Sequence, residues 1–196
     1  MSVAIPDYVE PLEGWRAWRV GGEDGDLRLF SVIQETVWPL REELVAACLK
    51  RRMLARLRRG RGHDAPAEAC ACGIYATSLE RLGSYLPDRD DGRTRYVFGR
   101  VRLWGTVIEC EQGWRGSCAY PSEILVPMPA RAARAVRADL MGPPQPRFAG
   151  ATAEEIEDAL SRYAVPVVVY PYEPAEALEI VARTGGRGGE LRSLTP

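Results

Sequence analysis

The sequence contains one histidine, His63, one lysine, Lys50, and only three phenylalanines among its 196 residues. What is scarce or missing removes several classes of function. No Walker loop, dinucleotide fingerprint or Ser-His-Asp arrangement can be assembled, so nucleotide-dependent and triad chemistry are not indicated. With a single imidazole in the chain, acid–base machinery built on histidine has little to draw on. No window approaches roughly 18 uninterrupted apolar residues, and the start, MSVAIPDYVEP, has no basic stretch followed by an apolar one. Neither membrane insertion nor export is therefore expected, and the chain is placed in the cytoplasm. The net charge of −1 supplies no global field that would attract nucleic acid or an anionic membrane.

What is present is a chain with 46% hydrophobic and 27% charged residues, enough for one complete core or a core with a small appendage. Five cysteines, an odd number, favour thiols and metal ligation over a disulfide framework. Cys48, His63, Cys70 and Cys72 read Cys-x14-His-x6-Cys-x-Cys and make one complete set of soft ligands. Thiolate and imidazole are preferred donors of Zn2+, and four protein ligands leave no position for substrate, so the expected site is structural zinc. Cys70 and Cys72 point the same way if the segment is a strand, and Gly73 follows them.

Alternatives stay open at this level. Cys48 can instead be an interior thiol of a helix, and Asp64 or Glu68 can replace a cysteine. A hydrolytic zinc needs an open position and a carboxylate base, for which Glu68 or Glu109 would serve. Zinc deaminases require His-x-Glu followed by Pro-Cys-x-x-Cys, and HDAPAEACAC departs from that at each point. Cys110 and Cys118 flank a turn at Gln112-Gly113 that would set Cys110 opposite Arg115, and both are expected to be buried or half-buried thiols.

The charge is locally uneven. Residues 50–61, KRRMLARLRRGR, hold seven cations and no acid. Arginine forks match phosphate oxygens, so Arg51, Arg52, Arg56, Arg58 and Arg59 are candidates for a nucleic-acid backbone. The competing explanation is a solvated face in a chain that uses arginine almost to the exclusion of lysine. Five tryptophans accompany the three phenylalanines. Trp104, beside Gly105, is assigned to the core. Trp114 and Arg115, at a hairpin tip, are assigned to the surface, where the ring can stack on a base and the guanidinium can bind phosphate.

Alternation around a glycine- and aspartate-rich turn predicts a hairpin from 15–20 and 27–33. Residues 40–57 carry apolar positions compatible with a helix ending at Gly60, although the part up to Cys48 also fits a strand. Thr77 or Ser78 can cap a short helix reaching about Leu86. Residues 96–110 give the longest strand signal, with Gly99 and Gly105 marking bulges. An alanine-rich helix is expected over 130–140, followed by a proline-rich linker or rigid loop. Thr152 with Glu155 makes a capping box for a helix to about Tyr163, residues 165–170 read as a buried strand, and Pro174 opens another helix. The fold class is α+β: a twisted antiparallel sheet or partly open small barrel over 1–128, a helix-strand-helix extension over 129–184, and a disordered tail over 185–196.

The segments HDAPAEACACGIYA, VRLWGTVIECEQGWRGSCAYP and GWRAWRV resemble a family of small actinobacterial and phage-associated proteins over about residues 14–126. That resemblance implies no particular activity. It leaves out the C-terminal segment and makes the basic run look like an insertion. The sequence therefore points to a non-catalytic, zinc-stabilised binding or regulatory module, with nucleic acid as one partner class. A protein partner held by the aromatic sheet face and the C-terminal helices is the other, and a zinc-dependent hydrolase is a third reading.

Overall fold

A computed structural model describes residues 10–22, 26–48, 63–87, 94–128 and 151–184. Its frame is a long antiparallel hairpin, β5 (Arg95–Cys110) and β6 (Gly113–Pro127). β1 (Leu12–Gly21) pairs with the free side of β5, and β2 (Arg28–Ser31) pairs with β1, as the alternating pattern around the first turn predicts. The outer edge of β6 is shared by three short strands. β4 (Ile74–Ala76) takes its start, β3 (Leu44–Val45) its middle, and β7 (Val167–Tyr170) its end. β7 runs parallel to β6, so the seven-stranded sheet is mixed and not closed. The expected α+β class forms, with one parallel pair in place of an all-antiparallel sheet.

Two register shifts bend the central hairpin. One lies between Trp104 and Val107, where Gly105 has φ +73° and a Cβ would stand 2.3 Å from Ser117 Oγ. Ser117 Oγ compensates the broken ladder by accepting from Thr106 N at 3.0 Å and donating to the Trp104 carbonyl at 3.3 Å. The other lies between Arg100 and Val101, opposite Pro121, which has no N–H to give to the ladder. Gly99 sits beside it because a Cβ there would lie 2.0 Å from the Glu123 carbonyl oxygen.

Apolar residues on the two faces of the sheet build two cores. Trp18, Leu29, Trp38, Val101, Leu103 and Ile124 pack under α2 (Ala153–Ser161). Ala17, Phe98, Leu125 and Val168 pack under α1 (Leu79–Leu82) and α3 (Pro174–Arg183). α2 opens on the predicted capping box, with Glu155 N donating to Thr152 Oγ1 at 3.2 Å and Thr152 N to Glu155 Oε2 at 2.6 Å. α3 has Pro174 in its first turn, where the missing N–H costs nothing. Tyr163, just past α2, is fully buried; its hydroxyl accepts from Leu29 N at 2.9 Å and donates to the Trp38 carbonyl at 3.0 Å. Burial pushes that phenol up to about 12.

Several expectations change. Of the two readings of residues 40–48, the extended one forms, because pairing with Ala119 and Cys118 outweighs the helical spacing of the apolar positions. Ser78 occupies the N-cap position of α1 but makes no side-chain cap bond, and Thr77 instead donates to the Gln112 carbonyl at 2.7 Å. The β5–β6 turn is Glu111–Gln112, so Cys110 faces Gly113 and Arg115 faces Ile108. The predicted helix over 130–140, the basic run and the tail from 185 lie outside the described residues. No helix among the described residues is long and apolar enough to cross a membrane.

Candidate metal centre

The edge of β6 changes partner from β3 to β4, and the Cys/His group gathers where it does so. β3 continues its ladder one residue further, with Ala46 N donating to the Ser117 carbonyl at 2.7 Å, and Cys48 follows with its side chain buried. His63, Cys70 and Cys72 come from the loop that leads into β4. A turn in which Cys70 N donates to the Ala67 carbonyl at 3.0 Å folds this loop back on itself. Cys70 and Cys72 thus converge through a turn and irregular backbone, and not through strand alternation as the sequence implied.

Gly73 makes the entry into β4 possible. Its φ is +124°, and a Cβ would meet Pro66 Cβ at 3.0 Å and Arg115 Cβ at 3.1 Å. Only glycine adopts this backbone readily, so the step from Cys72 into the strand is set by the absence of a side chain.

One donor atom from each of Cys48, His63, Cys70 and Cys72 lies within 4.8 Å of all the others. Cys48 Sγ and Cys70 Sγ are 3.9 Å apart, and His63 Nε2 and Cys72 Sγ 3.3 Å. The four predicted ligands are brought together, close enough to hold a metal ion. Neither Asp64 nor Glu68 belongs to the group, and Cys48, whose role the sequence left open, does. Burial pushes the Cys70 thiol up, but hydrogen bonds from the Cys72 backbone and from the Cys72, Cys48 and His63 side chains outweigh it and bring it down to about 7. Burial raises Cys72, and the Cys70 and Cys48 sulfurs add to the rise. Crowded sulfurs resist ionising together, and a cation at their centre removes that resistance.

The residues assigned to nucleic acid fare differently. Arg51, Arg52, Arg56, Arg58 and Arg59 lie outside the described residues. Trp114 is half-buried and packs against the larger core. Arg115 is not a surface residue: it is 6% exposed, and its guanidinium is occupied within the protein. Nε donates to Cys110 Sγ at 3.1 Å, and Nη1 donates to the carbonyls of Cys72 at 3.0 Å, Ala67 at 3.4 Å and Cys70. Sequence reasoning missed this role because the acceptors arrive from a loop more than 40 positions away.

Trp104 is not in the core either. The Gly105 bulge leaves its ring half-exposed, with the indole N–H donating to Glu43 Oε2 at 3.2 Å. It lines an open groove of about 1100 Å³ together with Tyr120, Arg41 and Arg102. None of the four Cys/His donors borders this groove. Cys110 and Cys118 are half-buried thiols, as expected. Comparison of the chain with family models, with curated proteins and with solved structures finds no match.

Proposed function

We propose that the chain is a zinc-stabilised, non-catalytic binding module that contacts nucleic acid through the arginines of residues 50–61. The observation that carries this reading is the meeting of Cys48 and His63 in one four-donor group. Those two residues bracket the 14 positions that hold all seven cations of the basic run. An ion there pins both ends of the arginine-bearing segment to the edge of β6. Closing a loop of that length costs chain entropy, and metal coordination supplies the compensating free energy.

Zinc is supported by donor type and by spacing. A tetrahedron with Zn–S of about 2.3 Å and Zn–N of about 2.05 Å separates two sulfurs by roughly 3.8 Å and sulfur from nitrogen by roughly 3.6 Å. The observed 3.9 and 3.3 Å are close to both. Four protein donors fill the tetrahedron, which disfavours the hydrolase reading, and Glu68 and Glu109 stand outside the group. Free thiols and reduced ligands fit a reducing compartment such as the cytoplasm. The adaptor reading finds less support, because α1, α2 and α3 spend their apolar faces on the two cores.

Two measurements test the proposal. Elemental analysis of purified protein is expected to return one zinc per chain. Binding to a single-stranded oligonucleotide is expected to weaken steeply with salt. The slope of log affinity against log salt should fall in magnitude by about 2 when Arg56, Arg58 and Arg59 become alanine, at roughly 0.7 for each phosphate no longer neutralised. An oligonucleotide that does not bind at low salt refutes the nucleic-acid part and leaves the zinc part to the elemental analysis.

A further inference from the structure

A guanidinium taken out of water needs its donors filled and its charge balanced. For Arg115 the first need is met at Nε by Cys110 Sγ and at Nη1 by the carbonyls of Ala67, Cys70 and Cys72. Three of these four acceptors are backbone groups of one short loop, 67–72, which carries two of the four metal donors. The planar fork of arginine reaches several acceptors at fixed angles, so it acts as a template for the path of that loop. Gly73 brings the loop against Arg115 Cβ, and Tyr75 of β4, paired with Arg115 in the ladder, lies with its ring 6.0 Å from the guanidinium.

Among the described residues Arg115 has no carboxylate partner for the second need: ion pairs there join Arg28, Arg100, Arg102 and Arg162 to acids, and Arg115 is in none of these. A divalent ion held by three thiolates and a neutral imidazole sets two positive charges against three negative ones, leaving a unit of net charge −1. That is the complement of one buried guanidinium.

We propose that Arg115 is the counter-ion and positioning residue of the metal centre, shaping the 67–72 loop through its carbonyls and cancelling the net charge of the loaded site. The inference rests on the zinc reading above. It also gives Cys110 a place: its sulfur accepts from Nε and aims the fork, and it is not a ligand. Removing a partner in this outer position typically costs about 10- to 100-fold in metal affinity.

The experiment is a Co2+ titration of the full-length protein, read by thiolate-to-cobalt and d–d absorption, for the parent, Arg115→Met and Arg115→Lys. Arg115→Met is expected to weaken Co2+ binding by about 10- to 100-fold and to change the d–d band pattern. Arg115→Lys keeps the charge and loses the fork, so it should recover part of the affinity but not the parent spectrum. Parent-like affinity and spectrum in Arg115→Met overturn the proposal. A lysine variant as weak as the methionine one removes the counter-ion role and overturns it as well. If Arg115→Met does not fold, Arg115→Lys decides alone, and an unchanged affinity and spectrum there refute the proposal. A parent that binds no Co2+ while remaining folded sinks the metal reading itself, a result distinct from parental binding that Arg115 does not influence.

Discussion

Replacing Gly73 with alanine probes the metal loop without touching a ligand. At φ +124° an L-residue is held in a region that costs about 1–3 kcal/mol. The new Cβ also meets Pro66 Cβ at 3.0 Å and Arg115 Cβ at 3.1 Å, and relieving such crowding adds about 1 kcal/mol. The folded, zinc-loaded protein is therefore expected to lose about 2–4 kcal/mol in denaturant unfolding at saturating zinc. Part of that loss should be metal affinity, because moving residue 73 moves Cys72. In zinc-stripped protein the loop is free to relax and the penalty should shrink. The difference between the two penalties equals the loss in zinc binding free energy, with tenfold corresponding to about 1.4 kcal/mol, and a chelator competition measures it independently. Gly83→Ala is the control, since that position is helical and its Cβ meets only Leu178 Cδ2 at 3.3 Å. Equal penalties with and without zinc, or parental zinc affinity in Gly73→Ala, would refute the link between this glycine and the metal centre.

The core supplies two further tests. Tyr163→Phe leaves Leu29 N–H and the Trp38 carbonyl buried without their partner, which at about 1–2 kcal/mol for each should cost about 2–4 kcal/mol in chemical denaturation. A loss below about 1 kcal/mol would mean that water or a shifted backbone replaces the hydroxyl. Tyr163 also makes the fold sensitive to alkali. Its folded pKa is raised to about 12, against roughly 10 in an unfolded chain, so its contribution is complete below pH 10 and is lost as pH rises towards 12. Tyr120, raised in the same direction by burial, adds to the decline. Unfolding measured from pH 9 to 12 should show this fall in the parent and a shallower one in Tyr163→Phe.

The elements that could be read from sequence were those whose cause is local. The first hairpin, the long 96–110 strand, the Thr152–Glu155 box and the Pro174 helix each rest on residues within a few positions of one another. The ligand set could be read for a different reason: the single histidine and three of the five cysteines fall within 25 residues, and that crowding is itself informative. What could not be read depends on distant chain. β3 and β4 are two and three residues long and exist because β6 has an open edge to receive them. Trp104, beside Gly105, reads as a core residue, but the bulge at that glycine leaves it half-exposed. Arg115 looked like a surface cation because its acceptors, brought by the 67–72 loop, carry no side-chain signature.

The border of the sheet along β6 is a patchwork of three separately anchored pieces. β7 is secured by the helices on either side of it in sequence, whereas β3 and β4 adjoin the segments that supply the four metal donors. Loss of the ion is thus expected to fray one stretch of the border while the remainder keeps its partner. On the zinc reading proposed above, stripping the metal should therefore loosen this corner locally, well before the central hairpin gives way.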